Sequence, residues 1–146
     1  IDVEQLDQDP PARNWLSIRE QIHAAPDLPE PVRQMAHRVF EALATAEARV
    51  HGVPTDQVHF HEVGARDSIA DVVGVCAALH DLNVQHLQVG VIAVGSGTVR
   101  TQHGQLPVPV PAVLELLRGW PAAAANAAGV PKTGRAAWRE IDQPTV

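Results

Sequence analysis

Between His51 and Asp71 the chain gathers three of its eight histidines and four carboxylates into twenty-one residues. His59 and His61 sit two apart in the run from Val58 to Val63, which reads as a β-strand. Side chains at i and i+2 of a strand leave the same face, so the two imidazoles can converge. Imidazole and carboxylate together are common ligands for a first-row divalent metal. His51 before the strand, and Asp67 and Asp71 after it, are further candidates for one site. The competing reading is a polar strand face in contact with water. Glu62 points away from the two imidazoles under strict alternation, and suits an outer acceptor that orients a ring N–H.

Asp67 and Asp71 are four apart, so both leave one face of the first turn of a helix. Asp directly before a helical pattern is also an N-cap, its oxygen accepting the N–H of Ala70, and Asp67 fits either role. Asp71 has less structural reason to be there. Further on, Gly95-Ser96-Gly97-Thr98 follows an apolar run and invites comparison with a phosphate loop. No dinucleotide or P-loop fingerprint accompanies it, and a β-bulge or turn suits it better. Arg100, Thr101 and His103 could still meet an anionic ligand, although His103-Gly104 alone reads as a turn. Cys76, on the apolar side of a helix, reads as packing. His23, His37, His80 and His86 read as surface or helix-end residues. The chain has no nucleophile elbow and no cysteine pair for zinc.

These residues need elements to position them. Trp15, Leu16, Ile18 and Ile22 predict a short amphipathic helix from Ala12 to about His23. Pro31 suits the first turn of a second helix, whose face reads Val32, Met35, Val39, Leu43, Ala46 and Val50 and which stops at Gly52. His37/Glu41 and Glu47/His51 are one-turn pairs on it. A third helix runs from about Asp67 to Leu82, with Ile69, Val72, Val73, Cys76, Ala77 and Leu79 inward and Asn83 as its stop. Leu87 to Val94 predicts one buried strand. Thr98 to Thr101 is a second strand or a loop, and Pro107 to Pro111 is extended because alternate prolines forbid a helix. Ala112 to Arg118 is a last short helix closed by Gly119. Residues 1–11 read as a flexible arm, 12–119 as one structured domain, and 120–146 as an Ala-rich tail. The fold class expected is helix-rich α/β, a single domain with about four helices and a small sheet carrying the His59/His61 strand.

Bulk properties remove several functions. The chain has 146 residues, 45% of them apolar, a net charge of −6, no Tyr and a single cysteine. An acidic chain with scattered basic residues is a poor match for nucleic acid or an anionic membrane. One cysteine makes no internal disulfide, which fits a reducing compartment. No apolar run approaches the roughly 20 residues of a membrane span. The expected location is the cytoplasm.

The run from Val58 to Gly74 closely resembles the signature of the LarC family, the nickel-insertion proteins of nickel-pincer cofactor biosynthesis. Residues Val94 to Leu117 and Ala46 to Gly52 are similar to two further blocks of that family, in the same order. The resemblance covers about residues 28–119 and implies a nickel chelatase, a lyase. Family members insert nickel into pyridinium-3,5-bisthiocarboxylic acid mononucleotide, forming one carbon–nickel and two sulfur–nickel bonds, and consume CTP with Mn or Mg. The product is the cofactor of lactate racemase and related enzymes. Carried over by position, the family's histidine and acid motif falls on His51, His59, His61, Glu62, Asp67, Asp71 and His103.

Nickel would then be held by His59 and His61, with His51 or His103 as a third ligand. Asp67, Asp71 or Glu62 would take the ring proton, and Ser96, Arg100 and Thr101 would meet the precursor. Nothing here matches the family's opening Tyr-Phe-Asp-Cys strand and Gly-Ile-Ser-Gly-Asp-Met loop. Its Thr-Pro-Thr-Gly-Ala-Ala motif survives only as an echo, Pro131 to Ala137, and its CTP-binding C-terminal domain has no counterpart. The chain is therefore expected to be the core of the amino-terminal half, as a fragment or a standalone relative, acting with a CTP-binding partner domain or subunit. A homo-oligomer is a further candidate assembly. Two other classes fit the residues: a non-catalytic nickel chaperone or storage module, and a divalent-metal phosphate-ester hydrolase built on Asp67 and Asp71.

Overall fold

The structure, a computed structural model, describes residues 14–60, 66–101, 103–124 and 139–141. Among them are four α-helices and three two-stranded sheets, within the helix-rich α/β class expected. The chain forms two compact units, residues 1–83 and 84–146.

In the first unit, helix α1 spans Trp15–Ala24. It opens where Asn14 Oδ1 accepts the N–H of Ser17 at 2.7 Å, a side-chain N-cap. The helix thus begins at Trp15 and not at Ala12, because the cap residue itself is extended. Trp15, Ile18 and Ile22 form its buried stripe, as their spacing predicts. Ala25, extended before Pro26, ends it.

Helix α2 spans Glu30–His51, with a proline in its first turn and Gly52 closing it in the left-handed conformation at φ 67°. Its buried line is Val32, Ala36, Phe40, Ala44 and Ala48, each four residues from the next. Val32 and Ala46 are buried as the sequence predicts, and the rest of the expected inward face is corrected. Val39 and Val50 are exposed and Met35 and Leu43 only line the core, while Phe40 is wholly buried. Three alanines on the buried line let α1 and α3 approach α2 closely, and Phe40 fills the space that remains. Burying such a ring stabilises the fold by about 1.5–3 kcal/mol.

Arg33 joins α1 to α2. Its Nη1 donates to Ile22 O at 2.6 Å and His23 O at 2.7 Å, and Nη2 donates to Ala25 O at 2.9 Å and Leu28 O at 3.0 Å. Nε donates to Glu30 Oε2 at 3.1 Å. One guanidinium therefore satisfies carbonyls at the end of α1 that its own helix cannot.

After the 3-10 turn Thr55–Gln57, the backbone extends through Val58, His59 and Phe60. Val58 and Phe60 are buried and His59 is exposed, the alternation expected of a strand. Among the described residues this leg joins none of the three sheets. It is held by an isolated antiparallel bridge between His59 and Asn14, with the Trp15 N–H donating to Val58 O at 3.1 Å. Among the described residues, His59 is thus placed by an isolated bridge to the N-terminal end of α1 and not by the small sheet expected around it. The rest of the predicted strand, with His61 and Glu62, lies outside the described residues.

Helix α3 spans Arg66–Asp81, and Ile69, Val72, Val73, Cys76 and Ala77 join the core as predicted. Asn83, at φ 50°, ends it as expected, its N–H donating to His80 O at 2.9 Å.

The second unit is built from short strands. The predicted continuous buried strand from Leu87 to Val94 is instead two, β1 (Leu87–Val89) and β2 (Ile92–Val94), separated by Gly90 and Val91. Neither is fully buried. The β-branched run signals extended backbone, but it does not tell which neighbours cover it. β1 pairs antiparallel with β6 (Arg139–Ile141), and β2 pairs parallel with β5 (Ala122–Ala124). Between β2 and β5 in sequence lie a hairpin, β3 (Thr98–Thr101) with β4 (Gly104–Pro107), and helix α4 (Pro111–Leu116). Thr98 to Thr101 is therefore a strand. No described helix is long and apolar enough to cross a membrane.

Candidate metal site

His59 is presented outward because its two neighbours are anchored inward. Val58 and Phe60 are 1% and 2% exposed, so the backbone between them cannot turn His59 toward the core without losing both. His51 sits in the last turn of α2, with Nε2 at 3.4 Å from Glu47 Oε2 one turn earlier. Both side chains of this pair are partly buried. The pair was legible as an i, i+4 spacing, and the structure adds that the carboxylate faces the imidazole.

Asp67 and Asp71 are both exposed on α3. Asp67 lies inside the first turn, and its Oδ1 accepts the N–H of Ser68 at 2.8 Å. The capping bond expected to Ala70 is replaced by this shorter-range one. The carboxylate still sits where the positive end of the helix favours an anion.

His61 and Glu62 lie outside the described residues. Among the described residues, no three His, Cys, Asp or Glu side chains gather into a group that could hold a metal ion. His51, His59, Asp67 and Asp71 thus do not by themselves compose a closed site.

In the second unit, Gly95-Ser96-Gly97 forms the turn between β2 and β3, as expected. Gly97 adopts φ 98°, and its carbonyl accepts the Val108 N–H at 3.0 Å. A Cβ on Gly95 would meet Val108 Cγ1 at 3.0 Å, so the turn closes tightly on the extended proline segment. Arg100 is exposed on β3. Thr101 Oγ1 donates to Gly104 O at 3.1 Å and accepts the His103 N–H at 3.1 Å, which shapes the hairpin tip that carries His103.

Cys76 is 3% exposed, and burial pushes its thiol up, partly offset by the charge of Arg38. A thiol held protonated in the core is packing and not a metal ligand, as its position on α3 implied.

Sequence reasoning missed the Asn14 bridge to His59 and the approach of His23 to His37. Both join residues distant in sequence, which no local pattern records.

A family model described as nickel insertion protein matches residues 1–145. Over 115 residues the chain is 57% identical to the "Pyridinium-3,5-bisthiocarboxylic acid mononucleotide nickel insertion protein" of Nocardioides sp., covering 79% of this chain and 29% of that protein. A relative from Geobacter sulfurreducens is 48% identical over 119 residues, 82% of this chain and 30% of its own. One from Synechococcus sp. is 50% identical over 114 residues, 78% and 28% respectively. The chain thus spans under a third of the length of these relatives. No solved structure matches it significantly.

Proposed function

The chain belongs to the nickel insertion protein family, and from that premise we propose that it supplies nickel to pyridinium-3,5-bisthiocarboxylic acid mononucleotide. In this reading it is the nickel-handling core of a nickel chelatase, and a CTP-binding domain or subunit with Mn or Mg completes the reaction. The observation that carries the reading is the outward-facing His59, fixed between the buried Val58 and Phe60 at the start of the His59-x-His61-Glu62 motif.

The residues take the following parts. His59 and His61 are nickel ligands in this reading, with His51 or His103 as a third. Nitrogen ligands suit nickel, whereas a site made only of oxygen would favour magnesium. When the carbon–nickel bond forms, the ring carbon gives up its proton, and Asp67, Asp71 or Glu62 accepts it. The two thiocarboxylate sulfurs complete the bonds to the metal. Arg100, on the hairpin, meets the phosphate of the mononucleotide, with Ser96 and Thr101 framing the adjacent turns.

The test is nickel stoichiometry by equilibrium dialysis for the wild-type chain and for His59→Ala/His61→Ala. The double variant is expected to bind one equivalent fewer, with its helical content unchanged by circular dichroism. Equal binding by both proteins sinks the assignment. Displacement of the bound nickel by equimolar magnesium would point instead to a hard-cation hydrolase.

A further inference from the structure

A second pair of histidines is brought together by the fold at a distance from this motif in sequence. His23 lies in the last turn of α1 and His37 in the second turn-pair of α2, and their ring centroids are 5.4 Å apart, inclined at 60°. Nδ1 of His37 faces Glu41 Oε2 at 3.9 Å. The His37 ring also packs against Trp15, with centroids 5.1 Å apart and planes inclined at 62°. Trp15 is 4% exposed, whereas His23 is open to solvent and the His37 side chain is 25% exposed.

The placement is rigid. Arg33 binds the carbonyls of Ile22 and His23 themselves, so the end of α1 that carries one histidine is fastened to the helix that carries the other.

We propose that His23 and His37 form a second, solvent-accessible binding site for a first-row divalent transition metal. Two imidazoles that ligate one ion at about 2.0–2.1 Å, with an angle near tetrahedral, place their ring centres roughly 5 Å apart. The observed separation is of that size. Glu41, at 3.9 Å from His37 Nδ1, adds a negative charge beside the ring, which favours a bound cation. Water fills the remaining coordination positions. A two-histidine, water-completed site releases its ion readily, which suits a loading point on a chain that handles nickel. This inference stands on the α1–α2 geometry and is independent of the role given to His59 and His61.

Trp15 provides the readout, because a paramagnetic ion held by His37 lies close enough to quench its indole. The chain has three tryptophans, so Trp120→Phe/Trp138→Phe leaves Trp15 as the sole emitter. Nickel(II) titrated into this parent at constant pH is expected to quench Trp15 saturably. His23→Gln and His37→Gln should each weaken that binding at least tenfold, and His59→Ala/His61→Ala should leave it intact. Magnesium should not quench. Quenching that survives His37→Gln, or that is lost in His59→Ala/His61→Ala, overturns the proposal, as does a parent that shows no saturable quenching. Should His37→Gln disturb the fold by circular dichroism, the exposed His23→Gln decides the outcome alone. Failure here leaves the stoichiometry test of His59 and His61 untouched, and failure there leaves this one untouched.

Discussion

Cys76 shows how one residue's chemistry is decided by where its helix points it. The thiol is 3% exposed and raised by burial, so in the folded chain it stays protonated where a free cysteine has begun to ionise. Its folded pKa lies above its unfolded value, so the unfolded state loses the proton first as pH rises. Stability is therefore whole below the ordinary thiol range and falls as pH climbs through it. Urea unfolding at neutral pH and at successive alkaline values should show this decline, and Cys76→Ala should reduce its slope. The native thiol should also resist a thiol-specific reagent that labels it promptly in urea. His59 is the opposite case. Its exposure follows from the burial of Val58 and Phe60 on either side, and this much of the alternation was readable from the residue types.

Among the elements, the α1–α2 hairpin depends most on a single contact. Arg33 donates to four main-chain carbonyls and to Glu30, and its side chain is largely buried, at 14% exposed. Removing it strands several acceptors at the end of α1, and hydrogen bonds from a charged donor contribute about 1.5–3 kcal/mol each before compensation by water. Arg33→Ala should therefore destabilise the fold by about 2–4 kcal/mol, measured by chemical denaturation. Arg33→Lys should recover only part of this, because an ammonium cannot reproduce the planar fork. Loss of no more than about 0.5 kcal/mol in Arg33→Ala would show that water replaces the guanidinium there. Nothing in the sequence marked Arg33, because its partners are carbonyls that every residue carries. The helices themselves were legible from periodicity, proline placement and the Gly52 and Asn83 stops. The rotation of α2 was not. Val39 and Val50 are as apolar as Val32, and only the surfaces facing the helix select the line through Ala36, Phe40 and Ala44.

At the scale of the molecule, the two compact units differ in how their backbone is protected. Residues 1–83 contain the core formed by α1, α2, α3 and the His59 leg. In residues 84–146, the described strands are three or four residues long, and among the described residues only Ala112 is a buried apolar residue. Amide exchange should accordingly be slowest in the middle of α2 around Phe40 and fastest in β1 to β5. Equal protection of the hairpin β3–β4 and of α2 would contradict this.

The sequence by itself determined the helix-rich α/β class, the four helices to within a few residues, the burial of Cys76 and the motif blocks that mark the nickel insertion family. These follow from local chemistry: hydrophobic spacing, backbone-restricting residues and runs of residue types survive without knowledge of what packs where. Only the tertiary structure decided that His59 bridges to Asn14, that Arg33 fastens α1 to α2, and that His23 meets His37. Each of these joins residues separated by 10 or more positions, and their approach depends on how the helices dock around Phe40. A linear pattern carries no record of that docking, because many rotations of an alanine-rich helix are nearly equal in hydrophobicity until a partner surface selects one.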